Sequence, residues 1–176
     1  MLLIDAHAHL TFKSFRKDLG EVIKRAKNVG VITVIDSAID PKDFMKAMEL
    51  KRNYGDFIQI AIGAAPQTLI KEKFDEILKI IEKNNKIAVA IGEIGLDYYW
   101  VRSEESREFT RKAFRELVRI AINFDKPIVI HNREALDDVI KILKEERAEY
   151  VVFHAFMGSL KDARKILENG WFLSIP

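Results

Sequence analysis

Apolar positions along the chain follow two alternating rhythms. Continuous, β-branched runs such as Val31-Ile32-Thr33-Val34-Ile35 and Pro127-Ile128-Val129-Ile130 predict buried strands. Leu2 to Leu10, Phe57 to Ile62, Ile87 to Ile94, Tyr150 to Phe153 and Trp171 to Ile175 read the same way. Between them, apolar residues recur at helical spacing. Phe15, Leu19, Val22, Ile23 and Ala26 mark a helix over Ser14 to Asn28, and Phe74, Ile77, Leu78 and Ile81 mark another. Phe109, Ala113, Leu117, Ile120 and Phe124 form one stripe, and Leu136, Val139, Ile140 and Leu143 a further one. Helix ends are punctuated: Asp40-Pro41 as cap and first turn, Gly30, Gly55 and Gly170 as stops, Ser159-x-x-Asp162 as a capping box.

Strand and helix alternate throughout, the cadence of a parallel sheet covered on both faces. No linker or repeat interrupts it, so residues 1–176 read as a single α/β domain. Two architectures fit: an open doubly wound sheet, or a (β/α)8 barrel with about seven strands, missing its C-terminal unit. The dinucleotide fingerprint G-x-G-x-x-G is absent after the first strand, which weighs against a Rossmann domain.

Composition narrows the chemistry. There is no cysteine, which excludes disulfides, thiol nucleophiles and Cys-ligated zinc. A net charge of +2 announces no strong global attraction to nucleic acid or membrane. With no apolar run of spanning length and no signal-like segment, the expected location is the cytoplasm.

The four histidines are His7, His9, His131 and His154, and each falls at the C-terminal end of a predicted strand. In a parallel barrel those ends share the rim that carries active sites. Asp5-x-His7-x-His9 alternates along a strand, so the two imidazoles face one way, with Asp5 behind to orient them. Glu93 lies late in the fourth predicted strand on an otherwise apolar stretch, where an unpartnered carboxylate is costly. Each residue alone has a bland reading: a hydrogen-bonded strand-end histidine, or a Glu93 paired with Arg133. Together they exceed the needs of one tetrahedral zinc and suit two divalent ions about 3.5–4 Å apart, bridged by Glu93. That chemistry is metal-assisted hydrolysis.

Four stretches in order carry a family resemblance. Asp5-x-His7-x-His9, Gly92-Glu93-Ile94-Gly95-Leu96-Asp97-Tyr98-Tyr99, Pro127-Ile128-Val129-Ile130-His131-Asn132-Arg133-Glu134-Ala135 and His154-Ala155-Phe156-x-Gly158 resemble the successive signatures of TatD-related metal-dependent deoxyribonucleases. The resemblance implies a TIM-type barrel of the amidohydrolase-like superfamily, two divalent ions (Mg, Mn or Zn), and hydrolysis of DNA phosphodiesters, commonly as a 3′-exonuclease. It implies that His7, His9 and Glu93 hold one ion and Glu93, His131 and His154 the other. Glu93 would bridge the ions or aid proton transfer, and Asp5 and Asp97 would stand behind the ligands. Asn132 and Arg133 would lie near the substrate phosphate, or else pair with neighbouring loop acids. Independently of the resemblance, Tyr98, Tyr99 and Trp100 follow the Glu93 motif on a loop, and aromatics such as Tyr98 and Trp100 beside a hydrolytic rim suit stacking on a base of a single strand, or else packing of the loop onto the barrel mouth. Arg102 and Arg107 sit among Glu104, Glu105 and Glu108 and read as a solvated helix face.

Two departures from the family pattern bear on function. The family's third strand ends in Gly-x-His-Pro, whereas this chain has Gly63-Ala64-Ala65-Pro66, so substrate contacts are expected to differ at Ala65. The family's eighth strand carries Glu-Thr-Asp, whose Asp completes the metal site, and Pro176 precedes that segment. The expectation is a shortened barrel or a piece of a longer one, its open edge covered by a partner chain or a missing segment. The other readings are an amidohydrolase-type or D-aminoacyl-tRNA-deacylating enzyme on the same metal site, and a non-catalytic incomplete barrel. Lys86 lies at the far end of the fourth strand from Glu93, which weighs against a metal-bridging lysine.

Overall fold

The computed structural model describes residues 1–176 as alternating strands and helices. In chain order these are β1 (Leu3–Ala8), α1 (Leu19–Asn28), β2 (Val31–Ala38), α2 (Pro41–Tyr54), β3 (Ile58–Ile62), α3 (Phe74–Asn84) and β4 (Ala90–Asp97). Then follow α4 (Glu104–Asn123), β5 (Ile128–Arg133), α5 (Leu136–Glu145), β6 (Val151–Phe153), α6 (Leu160–Leu167) and β7 (Phe172–Leu173). All seven strands are parallel and pair in sequence order, β1 to β7, giving the curled half-barrel of a TIM-like fold. No helix is long and apolar enough to cross a membrane.

The two faces of the sheet divide the core by side-chain size. Ile60, Ile62, Ile91, Ile128 and Ile130 pack outward against Phe44, Ile77, Ile81, Phe114, Leu117 and Val139 from the helices. The opposite, concave face carries small residues, Ala61, Ala90 and Val129, with Ile35 and Val152 beside them. Because strand side chains alternate, His131 shares the concave face with Val129. Large residues thus attach the helices, and small ones leave room for the site.

Most predicted ends are realised chemically. Asp40 accepts from the Asp43 backbone N–H at 2.8 Å ahead of Pro41, and Ser159 and Asp162 cap α6 reciprocally. Several boundaries move: β5 runs on to Arg133 and β7 shrinks to Phe172–Leu173. Helix α1 begins at Leu19 rather than Ser14, and Phe15 packs instead from a short 3-10 turn onto Leu10, Ile23 and Val34. Strand β2 runs on through the polar pair Asp36-Ser37 to Ala38. Strand β4 begins at Ala90, because Ile87 and Val89 lie partly in solvent and pairing with β3 starts at Ala61 and Ala90. It ends at Asp97, three residues beyond the predicted end, so Glu93 sits inside the strand with Asp97 at its tip.

The glycine that makes β4 possible is Gly95, at φ +149° opposite His131. A Cβ there would stand 1.9 Å from the His131 carbonyl oxygen. Only a residue without a side chain lets β5 approach so closely.

Candidate metal centre

Glu93 is the hub. It is 3% exposed, and its two carboxylate oxygens face different imidazole pairs. Oε2 lies 3.4 Å from His7 Nε2 and 3.2 Å from His9 Nε2. Oε1 lies 2.6 Å from His131 Nδ1 and 3.2 Å from His154 Nε2. The two halves touch through the His7 and His154 rings, stacked with centroids 3.9 Å apart. His7 and His131 come from the C-terminal halves of β1 and β5, His9 and His154 directly follow β1 and β6, and Glu93 comes from the middle of β4.

The outer nitrogens are tied down. His9 Nδ1 donates to the Ser37 carbonyl at 2.8 Å, which leaves Nε2 with a free lone pair. His7 Nδ1 meets Ser37 Oγ at 3.0 Å. His131 Nε2 donates to Asp97 Oδ2 at 2.9 Å, leaving Nδ1 to face Glu93. This carboxylate–histidine arrangement fixes a metal-ligating tautomer. Replacing Asp97 by Asn presents an N–H to the His131 N–H and favours the wrong tautomer. The expected result for Asp97→Asn is a tenfold to hundredfold loss of divalent-ion affinity, read by calorimetric titration.

Electrostatics in the cluster are lopsided. Burial alone would push the Glu93 carboxyl up, but the surrounding imidazoles outweigh it and hold the group far below the usual carboxylate range. Burial opposes charge on His9 and His131 too, yet Glu93 lifts both above the ordinary histidine value. His7 is lowered, because burial, aided by neighbouring His154 and His9, wins there.

The donor set fits divalent ions. His7, His9 and Glu93 form one group and Glu93, His131 and His154 another, each with ligand atoms within 4.8 Å of one another. His7 Nε2 and His9 Nε2 are 3.1 Å apart, near the roughly 3.3 Å separating two nitrogens 2.0–2.1 Å from one tetrahedral ion. Neither ring nitrogen of partly buried His154 makes a well-aligned hydrogen bond, Nε2 lying 3.2 Å from Glu93 Oε1, and an ion would satisfy one.

Asp36, next to Ser37, is fully buried; its Oδ1 accepts the Leu10 N–H at 2.6 Å and its Oδ2 has no partner. Burial pushes this carboxyl up to about 6. A raised carboxyl pKa means the folded chain holds its proton longer than the unfolded chain. Its contribution to stability is therefore present below the ordinary aspartate value near 4 and lost as pH rises through 6. Asp36→Asn is expected to stabilise the protein at pH 7.5 by on the order of 2 kcal/mol and to change little at pH 4. Urea unfolding at both pH values checks this.

The other residues expected from sequence divide into groups. Asp97 stands behind His131 as expected. Asp5 does not stand behind the imidazoles: it is exposed and accepts only the His7 backbone N–H, at 3.2 Å. Irregular pairing with β2 between Asp5 and Ala8 breaks the alternation that would have turned it inward. Ser37 takes the orienting role. Arg133 is exposed and pairs with no acid; its guanidinium instead stacks on Tyr99, 3.7 Å from the ring centroid. Asn132 lies beside it with Oδ1 buried and unpartnered. Tyr98 packs rather than presents itself: its hydroxyl donates to Asp138 and accepts from Arg111 at 3.2 Å. Arg107 is no solvated residue either, since it bonds the Val101 and Tyr98 carbonyls at 2.9 and 3.1 Å and straps the loop after β4. Trp100 is 60% exposed. Ala65 is fully buried in the segment after β3.

Comparison with known proteins agrees with the cluster. The family model described as TatD related DNase matches residues 4–176. An uncharacterized metal-dependent hydrolase, YabD of Bacillus subtilis, is 39% identical over 98% of this chain and 68% of its own length. Human deoxyribonuclease TATDN3 is 31% identical over 99% of this chain and 68% of its own. The crystal structure of YJJV, a TatD homologue from Escherichia coli, superposes with a TM-score of 0.84 at 27% identity, covering 97% of this chain and 66% of that one. The chain thus spans about two thirds of the length of these relatives. With its family model matched from β1 to the last residue and the histidine–glutamate cluster in place, the chain belongs to the TatD-related DNase family.

Proposed function

We propose that the chain carries the metal centre of a hydrolase cleaving DNA phosphodiester bonds, acting on single strands at their 3′ ends with two divalent ions, Mg, Mn or Zn. The observation that carries this reading is the division of Glu93: one oxygen toward His7 and His9, the other toward His131 and His154. That arrangement suits a carboxylate bridging two ions. When bound, such a pair lowers the pKa of water and offsets negative charge developing at a phosphoryl centre.

The chain's own groups do the rest. Glu93 stays ionised in the buried cluster and holds the two halves in one geometry. Ser37 and Asp97 keep His9 and His131 in the tautomers whose free nitrogens face inward. Arg133 offers an unpaired guanidinium two residues beyond His131, able to clamp phosphate oxygens in its fork. Asn132 lines the same rim beside Arg133 and His154 and adds a side-chain amide N–H suited to a phosphate oxygen.

The test is incubation of the chain with 5′-labelled single-stranded DNA and Mg, Mn or Zn, against the same mixtures with chelator. The expected result is divalent-dependent shortening from the 3′ end. Metal-independent cleavage would contradict the reading, and so would ester or amide turnover without cleavage of DNA.

A further inference from the structure

Linked to the metal centre through Asp97 is a groove of about 350 Å³ that none of the cluster residues lines. Its walls are the segment after β3, with Leu69 and Lys71, and the start of α4, with Trp100, Arg102, Glu105 and Phe109. That volume is within the range of small-ligand pockets.

Trp100 is the unusual wall. A tryptophan 60% exposed leaves most of an indole in water, where it contributes little to the fold. Yet its backbone and its ring are each held by a neighbour. Its backbone N–H donates to Asp97 Oδ1 at 2.9 Å, while the other oxygen of the same carboxylate holds His131. Tyr99 meets the indole edge-on, with centroids 5.0 Å apart and planes at 88°. Tyr99 is in turn fixed by Arg133 stacked on its ring and by Arg102 Nε donating to its carbonyl at 3.1 Å. An aromatic side chain held in place with its surface open is a platform for a ligand π-face. Charge agrees: Lys71 and Arg102 border the groove against one acid, Glu105.

We propose that this groove is a subsite for an unpaired nucleobase, stacked on Trp100, with Lys71 and Arg102 beside its backbone phosphates. The occupant is a nucleotide neighbouring the one at the metal centre, on the same single strand. A base inside a duplex presents no free face, so the subsite selects single-stranded over double-stranded substrate. Asp97 ties the two sites together, since it positions both His131 and Trp100. The inference rests on the nuclease reading for the identity of the strand, but its binding arm is independent of turnover.

The chain reports on this site itself. Its two tryptophans are Trp100 in the groove and Trp171, which is 4% exposed and bonded through Nε1 to the Ala148 carbonyl at 3.0 Å. Titration with oligothymidylate in chelator, where no hydrolysis occurs, is expected to quench the exposed tryptophan emission. Trp100→Phe should abolish that quenching, and base-paired DNA should produce little of it. In a second arm with Mn, Trp100→Ala is expected to raise KM for single-stranded DNA tenfold or more, the scale of one lost base stack. The KM for bis(p-nitrophenyl) phosphate, which is too small to span both sites, should rise far less than the KM for single-stranded DNA. Unchanged emission on titration, equal quenching in Trp100→Phe, or equal losses on both substrates would overturn the subsite. If neither phosphodiester is hydrolysed while oligothymidylate still quenches Trp100, the nuclease reading fails and the base subsite stands.

Discussion

Glu93→Ala is expected to abolish divalent-dependent hydrolysis, lowering turnover by a factor on the order of 10³ or more, the scale at which several kcal/mol of transition-state stabilisation disappears. The reason is geometric. Glu93 is the one residue shared by both potential ion groups, so its removal takes a ligand from each at once. Loss of His7 or His154 takes a ligand from one group only. The result should therefore be graded: Glu93→Ala worst, with single histidine variants partly restored by raised metal concentration. A Glu93→Ala chain that folds normally and retains more than about a tenth of the activity would sink the bridging role.

Gly95→Ala is expected to have the largest effect on folding. The added methyl would meet the His131 carbonyl oxygen at 1.9 Å, with His131 N also 3.1 Å away. Neither is a flexible side-chain end that can swing aside; both belong to the paired backbone of β5. Overpacking against backbone costs about 1–3 kcal/mol and more where nothing yields, and φ +149° adds strain for any residue with a Cβ. A loss of roughly 3–5 kcal/mol in urea unfolding is expected. His131 would move with its strand, so metal affinity should fall even under conditions where the variant stays folded. Gly20→Ala on α1 is the control: nothing lies within 4 Å of the place its methyl would take, and no comparable loss is expected.

Much of the centre was legible in the sequence because its signal is combinatorial. One histidine at a strand end means little, but four such histidines plus Glu93 on an apolar strand leave few structural explanations. The structure brings all five together. What escaped were groups that act through them. Ser37 orients both His7 and His9, yet Asp36-Ser37 reads as a polar loop after a strand ending at Ile35. Strand pairing with β3, from Val34 to Ala38, carries the polar pair into the barrel, which local pattern does not reveal. Asp5 misled for the converse reason: alternation places it with the histidines, and the irregular β1–β2 pairing turns it out. Around Trp100 the side-chain types signalled an aromatic loop, but not its anchoring. Arg107 and Arg102 sit among acids in sequence, and only the folded loop shows them bonded to its carbonyls.

The measurement that tests the metal centre most directly is the number of divalent ions bound per chain, by Mn titration followed with calorimetry, for the chain and for Glu93→Ala. Two sites in the chain, both weakened or lost in the variant, are expected from a carboxylate that faces one imidazole pair with each oxygen. Two sites that survive the substitution with unchanged affinity, or no bound ion in the chain itself, would contradict a metal centre built around Glu93.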